Sequence, residues 1–482
     1  MASFCPETRR QFKTWQYRTL AATIIGYALF YVVRKNFSLA MPGLQAEIGI
    51  SKASLGVFLT AHSLVYGFSR FLFGFAADRW SARYLMPLGL LLCAMMNFAF
   101  GFAPQMAAMV SGETAGAAFI SSMILVMGIL WVINGCLQGS GFPPCARLIT
   151  HWVPPNELAS KMAIWNTSHS IGAATVTILC GYIMGNSILQ GQPNPNVIPN
   201  DIWANLQNGF GFGFGSWRWC FWIPSFIAFV GAGMLWFVLR DTPTSVGLPE
   251  LPGTGKEKLD KADAPTWAFL KKHVFGNPVI WVLGFANLFV YIVRMSVLDW
   301  GPTFLSQSKG VSLVHAGWLV AMFEISGILG MISFGFLTDY VLKGRVPRAA
   351  VIGMLGTTIC FALFWLTPGS APIWLLLLPL CGSGFFIYGP HALIGVAVAN
   401  QATKKAAATA NGFTGLFGYA SALFSGVGVG VMADHVGWDW IYAGIIGVAL
   451  VGMFTFMLLW NLKPSAYEEI EKNENTQQEN QL

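Results

Sequence analysis

Twelve long apolar runs separated by polar stretches constrain this chain more than any other feature. They fall at about residues 18–41, 54–77, 84–103, 117–143, 158–185, 217–240, 277–300, 313–340, 349–367, 372–399, 406–433 and 439–462. A helix needs roughly 20 apolar residues to cross a hydrocarbon core, and every run is close to that length. The bulk composition demands the same solvent. Of 482 residues 55% are hydrophobic and 10% charged, against about 25% charged in soluble chains. No water-soluble fold of this length covers so much apolar surface, whereas lipid does. The expected fold class is an all-α membrane protein of twelve transmembrane helices, with the lipid bilayer as a partner.

The net charge of +7 does not indicate nucleic acid, because the basic residues sit at the ends of apolar runs and not on a polar domain. Their distribution sets an orientation instead. With the N-terminus inside, the inner connections hold Arg9, Arg10, Lys13, Arg18, Arg79, Arg83, Arg147, Lys161, Arg240, Lys271, Lys272, Lys343, Arg345, Arg348, Lys404 and Lys405. The outer ones hold only Lys52, Lys309 and, at a helix mouth, Arg218. This asymmetry is the positive-inside rule, and an even number of spans returns the C-terminus to the same side. The eight cysteines are scattered without a CxxC pair, so neither a metal site nor a disulfide framework is expected. The start, MASFCPETRRQFKTW, is polar and basic, and no cleaved signal is read there.

The polar, Pro- and Gly-rich stretch 241–276 reads as an inner linker between a first half, 1–240, and a second, 277–462. The 186–216 segment is a long outer connection, and the Gln/Glu/Asn-rich tail 463–482 reads as disordered. The halves repeat each other. Tyr31-Val32-Val33-Arg34 returns as Tyr291-Ile292-Val293-Arg294, each Arg followed eight residues on by Pro42 or Pro302. Gly74 and Asp78 return as Gly335 and Asp339, and Gly139-Ser140-Gly141-Phe142 as Gly382-Ser383-Gly384-Phe385. Asn166 with His169 answers Asn411 with Thr414. Parallel repeats of this kind build the two halves of major facilitator folds, with the binding site near the midplane at the repeat interface.

Arg34 and Arg294 carry the chemistry. An Arg at a helix centre costs about 2.5–3.5 kcal/mol on insertion scales, and the symmetric placement argues against mere snorkelling to the interface. Two guanidiniums are jointly satisfied by a dianion, and their planar forks match phosphate oxygens. The expected cargo is therefore a phosphate-bearing anion. An empty site would leave both charges unpaired in a low-dielectric cavity, which predicts obligatory exchange. His169 is a further donor, titrating near neutral pH. Tyr27, Tyr31, Tyr66, Tyr291, Tyr388 and Tyr419 are candidate hydroxyl donors, with Tyr27, Tyr31 and Arg34 spaced along one helical face, and Asn166 joins this set. Arg70, Lys35, Asp299 and Glu324 are candidates for gating or charge-switching pairs. Lys35, adjacent to Arg34, points to another side of its helix and reads as paired or snorkelling. Asp78, Arg79 and their repeat Asp339 are candidates for an inner gate latch. No nucleophile–base pair or metal cluster indicates an enzyme, and no cofactor is expected.

The strings GYALFYVVRKNFSLAMP, YGFSRFLFGFAADR, FPPCARLITHW, WNTSHSIG, RDTPTSVGLP, FVYIVRMSVLDWGP and ANGFTGLFGY resemble, in order, the motifs of the organophosphate:phosphate antiporter family of major facilitators. The resemblance runs from about residue 17 to 462. It implies exchange of a phosphate ester for inorganic phosphate by a monomer in a bacterial inner membrane, both termini cytoplasmic. It also implies phosphate contacts from Arg34 and Arg294 with His169 nearby, cavity tyrosines at Tyr27, Tyr31, Tyr66, Tyr388 and Tyr419, and acids at Asp299 and Glu324. Arg70 stands where the family usually has Lys, Phe142 where it has Trp, and Glu157-Leu158-Ala159 where it has Glu-Arg-Gly. Asn411 and Thr414 are neutral where hexose-phosphate transporters carry an acid and a Lys. That weighs toward glycerol 3-phosphate as the ester, with a hexose-6-phosphate exchanger or a hexose-phosphate sensor as the alternatives.

Overall fold

The computed structural model describes residues 5–185, 216–249, 266–402 and 406–462. The outer connection up to 215, the middle of the linker, Lys404 and Lys405, and the tail from 463 lie outside the described residues. Among the described residues every regular element is helical.

Among these described residues twelve helical spans follow in order. They are α1 (Pro6–Ile48), α2 (Lys52–Arg79), α3 (Ala82–Phe100), α4 (Ala117–Trp152), α5 (Pro155–Asn166 continued by Ser168–Gly185) and α6 (Trp219–Val238). Then come α7 (Pro278–Lys309), α8 (Leu313–Val341), α9 (Val346–Leu366), α10 (Ile373–Gln401), α11 (Thr409–His435) and α12 (Trp438–Met457). Ten are long and apolar enough to cross a membrane by length and composition. The other two are α1, which carries Arg34 and Lys35, and α5, which is interrupted at Thr167. Pro6 opens α1, where its missing N–H costs nothing, and Gly49 closes it in the left-handed region with φ 75°, its N–H reaching the Gln45 carbonyl. Ser51 caps α2 by accepting from the Ser54 N–H at 3.1 Å.

Three features depart from the hydropathy reading. Helix α1 begins at Pro6, twelve residues before the apolar run, because its first turns are amphipathic: Phe12 and Gln16 are buried while Arg9, Arg10 and Lys13 are exposed. Phe12 packs on Trp152 with Leu248, and the Trp152 indole donates to the Arg240 carbonyl at 2.9 Å. Helix α7 continues to Lys309, past the expected end at 300, since polar turns beyond the hydrocarbon carry no apolar signal. A nine-residue helix, Ala103–Ser111, lies between α3 and α4, where none was expected.

The chain divides into two compact units, Met1–Glu257 with Asp299–Ala321, and Lys258–Leu298 with Met322–Leu482. In the first, Phe37, Phe100, Trp131 and Phe221 form an aromatic core, with ring centroids 4.7 Å apart for Phe37–Trp131 and 4.3 Å for Phe100–Phe221. Helices α1 and α5 meet backbone to backbone: a Cβ on Gly172 would lie 2.2 Å from the Ala28 carbonyl oxygen. In the second, a Cβ on Gly330 of α8 would lie 2.0 Å from the Phe385 carbonyl oxygen of α10. Small residues let helices approach where lipid supplies no hydrophobic drive. Phe226, Val230 and Phe237 of α6 are 68%, 60% and 73% exposed, a stripe that only acyl chains cover at no cost.

Candidate functional site

In the first unit three irregular helices gather around one cation. Val33 leaves helical geometry (φ −93°, ψ 17°) just before Arg34. The kink diverts backbone carbonyls from their usual partners, and two amides take them. Gln138 Nε2 donates to Phe30 O at 3.0 Å, and Asn97 Nδ2 donates to Val33 O. Asn36 ties the far side of the kink, donating to Asn97 Oδ1 at 2.9 Å and to Cys220 O at 2.8 Å. Helix α4 breaks after Gln138 and restarts at Phe142, where Pro143 and Pro144 supply the first turn. Helix α5 breaks at Thr167. Interrupted helices at this depth are tolerated where the released backbone is re-satisfied.

The Arg34 guanidinium that results is buried, 4.2 Å from the Tyr66 ring centroid and 5.5 Å from that of Tyr31. Each such contact contributes about 0.5–2 kcal/mol, more as it is desolvated. Tyr27 packs edge-on to Tyr31 at 5.5 Å and tilts on Trp165 at 4.8 Å. His169 lies 5.5 Å from the Tyr31 ring, and its Nδ1 donates to the Asn166 carbonyl. That bond commits the Nδ1 proton, so His169 offers a second N–H at Nε2 only as an imidazolium. The part Asn166 plays here is its backbone carbonyl. Arg70 lies over the Phe142 ring at 3.8 Å, so the phenyl at 142 serves as its platform.

Lys35 faces away from Arg34 and pairs with Asp299 at 2.5 Å, both side chains under a tenth exposed. Asp299 belongs to the part of α7 that joins the first unit. A buried pair of this kind is costly to break, since removing one member strands the other, about 3–5 kcal/mol.

The second unit holds Arg294, 3% exposed. Its guanidinium lies 4.6 Å from the Tyr388 ring centroid, Nη2 is 3.7 Å from Glu324 Oε1, and Nη1 is 3.4 Å from His391 Nε2. The Tyr388 hydroxyl donates to the same Glu324 oxygen. Tyr291 lies 5.0 Å from the His391 ring. Asn287 Nδ2 donates to Thr414 O at 2.9 Å, and the Thr414 hydroxyl turns back to Ala410 O at 3.1 Å. Asn411 Oδ1 faces Gly395, and Tyr419 is half-buried on α11. The expectation that an empty site leaves both guanidiniums without a counter-charge therefore needs correction. Glu324 stands beside Arg294, its Oε1 3.7 Å from Nη2.

The inner ends of α2 and α3 are held by residues outside the expected latch. Arg79 and Asp339 are exposed, and the side chain of Asp78 lies outside the described residues. Arg147, read only as a topogenic charge, closes α2 by donating from Nη1 to the Ala77 carbonyl and, at 2.7 Å, to the Trp80 carbonyl. Asp241 opens α3, accepting from the Arg83 N–H at 2.9 Å and from the Ser81 hydroxyl. A cation on a helix C-terminus and an anion on an N-terminus both suit the macrodipole. His391 was also missed. It follows Gly389-Pro390 with no periodic signal, and only its spacing of three from Tyr388 hinted at a shared face.

Residues 23–426 match the Major Facilitator Superfamily. A protein of Chlamydia muridarum described as "Probable hexose phosphate transport protein" is 33% identical over 468 residues, covering 94% of this chain and 92% of that one. The "Glycerol-3-phosphate transporter" of Bacillus subtilis is 34% identical over 457 residues, covering 93% of each. The "Membrane sensor protein UhpC" of Escherichia coli is 31% identical over 461 residues, covering 94% and 93%. A superfamily match across most of the chain, near-complete alignment with these relatives, and an Arg in the interior of each unit converge: the chain is a multi-pass membrane transporter of the Major Facilitator Superfamily and belongs, within it, to the organophosphate:phosphate antiporter family.

Proposed function

We propose that this protein exchanges a phosphate ester, glycerol 3-phosphate in the first instance, for inorganic phosphate across a bacterial inner membrane, with both termini in the cytoplasm. The observation that carries the reading is the pair of buried guanidiniums, one per unit, each set against tyrosine rings. A guanidinium presents a planar fork that takes a phosphoryl group bidentately. Arg34 and Arg294 are the phosphate ligands, with His169 and the tyrosines as further donors. Glu324 competes with the anion for Arg294, so arrival of phosphate releases the carboxylate and departure restores it. Lys35–Asp299 is the charge pair whose making and breaking accompanies alternating access.

The neutral side chains at Asn411 and Thr414 support the smaller ester, since neither supplies a charge for a sugar hydroxyl array. The hexose-phosphate relative keeps glucose 6-phosphate as the second cargo to test, and the sensor relative keeps binding without flux as the third outcome. The experiment is exchange of labelled inorganic phosphate in proteoliposomes loaded with phosphate, challenged with external glycerol 3-phosphate or glucose 6-phosphate. Efflux driven by glycerol 3-phosphate at lower concentration supports the reading. Efflux driven only by glucose 6-phosphate moves it to the hexose cargo, and ligand binding with no exchange moves it to a sensor.

A further inference from the structure

Three arginines of the first unit stand outside the site described above and gather at one end of it. They are Arg18 of α1, Arg83 in the first turn of α3, and Arg240 just past the end of α6. Arg18 and Arg240 lie over the same Trp15 ring, at 4.5 Å and 5.9 Å. Trp15 is stacked on Trp152 with centroids 5.9 Å apart, so the platform under both cations is held. The Arg83 N–H donates to Asp241 Oδ1 at 2.9 Å, which sets the start of α3 beside Arg240. Arg240 Nη1 donates to Phe237 O at 2.9 Å and Leu239 O at 2.7 Å, which anchors that guanidinium in the repulsive field of both Arg83 and Arg18. Like charges crowded in this way call for an anion. Asp241 does not supply it, because its oxygens accept from the Ser81 hydroxyl and the Arg83 N–H. Among the described residues none of the three guanidiniums has a carboxylate within ion-pair distance, and Arg83 Nε is buried without a hydrogen-bond partner.

The surroundings select the anion. Arg83 lies over the Tyr84 ring at 5.0 Å, and that ring is 5.0 Å from Trp236. Both rings are exposed, as are the aromatic residues that sit at the headgroup level of a bilayer. Leu88 and Leu91 continue the exposed face of α3 that Tyr84 begins, and Val230 and Phe237 are exposed on α6. A soluble anion has no use for such a face, whereas acyl chains cover it. Basic clusters at the ends of membrane helices hold lipid headgroups by the same charge attraction. We propose that Arg18, Arg83 and Arg240 bind the headgroup phosphate of an anionic phospholipid whose acyl chains lie along α3 and α6. A zwitterionic lipid brings its own cation into the cluster, so a headgroup with net negative charge is preferred. The site is distinct from the cargo site, since Arg18 lies roughly 24 Å along α1 from Arg34.

The test follows thermal melting of the purified full-length protein in detergent, titrated with phosphatidylglycerol or with phosphatidylcholine of the same acyl chains. Phosphatidylglycerol is expected to raise the melting temperature at the lower concentration. Arg18→Gln and Arg83→Gln should each raise its half-effect concentration about fivefold, and together about 25-fold, with phosphatidylcholine unaffected. Arg9→Gln/Lys13→Gln removes the same charge from exposed positions on α1 and should behave as the parent. No preference for phosphatidylglycerol in the parent, or a parent-like Arg18→Gln/Arg83→Gln variant, overturns the proposal. An equal loss in Arg9→Gln/Lys13→Gln also overturns it, because the attraction would then be bulk charge. So does a competitive shift of the lipid titration by excess inorganic phosphate, which would assign the cluster to soluble anions. Should Arg18→Gln/Arg83→Gln not fold, Arg83→Gln alone carries the test with its fivefold loss.

Discussion

Two adjacent cations on α1 meet different surroundings. Lys35, a compact and strongly hydrated ammonium, enters the interior only with a carboxylate on it, Asp299 at 2.5 Å. Arg34, planar and more weakly hydrated, rests against the rings of Tyr31 and Tyr66. Replacing Arg34 by Lys keeps the charge and loses the fork. Phosphate exchange by Arg34→Lys is expected to fall by about 30-fold or more, the equivalent of one charge-assisted pair at ~2–3 kcal/mol, and initial rates of labelled-phosphate exchange measure it. Glu324 makes a different prediction. Glu324→Gln removes the internal competitor for Arg294, so phosphate should bind more tightly while turnover slows. A lowered half-saturation with a lowered maximal rate is the expected split, and a raised half-saturation would count against competition.

Elements bend where the site needs them to. The α1 kink at Val33, the α4 break at 139–141 and the α5 break at Thr167 all depart from regular helical pairing, and at the last two the N–H groups of Gly139, Ser140, Gly141 and Thr167 bond to carbonyls three residues back. Gln138 and Asn97 take up the carbonyls freed on α1. Interhelical hydrogen bonds of this sort average about 0.6 kcal/mol and reach about 1.7. The double variant Gln138→Leu/Asn97→Leu should therefore melt a few degrees lower in detergent, and should lose exchange because Arg34 follows the kink. Melting recorded without and with phosphate separates the two effects: the stabilisation by phosphate shrinks if the kink positions Arg34, and is retained if it does not. The second unit is held by a close approach instead. A Cβ on Gly327 would lie 2.5 Å from the Tyr388 ring, so Gly327→Ala should displace Tyr388 from both Glu324 and Arg294.

For the whole molecule, the asymmetry of Lys and Arg predicts the side of each connection. A single cysteine placed at Thr114, exposed in the outer connection between α3 and α4, in an otherwise cysteine-free chain, should react with an impermeant maleimide added to intact cells. One placed at Arg345 should react only in inverted vesicles. Labelling of Arg345→Cys from outside would reverse the assigned orientation. The exchange reading also sets a condition on flux: with no counter-anion on the far side, net phosphate uptake should be far slower than exchange. The Glu324 contact softens that condition, because Arg294 keeps a partial counter-charge without cargo.

What the sequence determined by itself was whatever depends on local pattern. Apolar runs of spanning length, charges at their ends and the Tyr-x-x-Arg repeat were enough for the fold class and for two interior guanidiniums, because burial in lipid filters residues by type and position along one helix; the family came from the resemblance of the longer motif strings. The sequence did not determine partners. The ion pair of Lys35 with Asp299 joins residues 264 positions apart, and Arg294 meets Glu324 and His391 on two other helices. Helix breaks at Thr167 and after Gln138, and the caps by Arg147 and Asp241, likewise follow from which surfaces meet. Pairing is a property of packed surfaces, and only the tertiary structure brings those surfaces together.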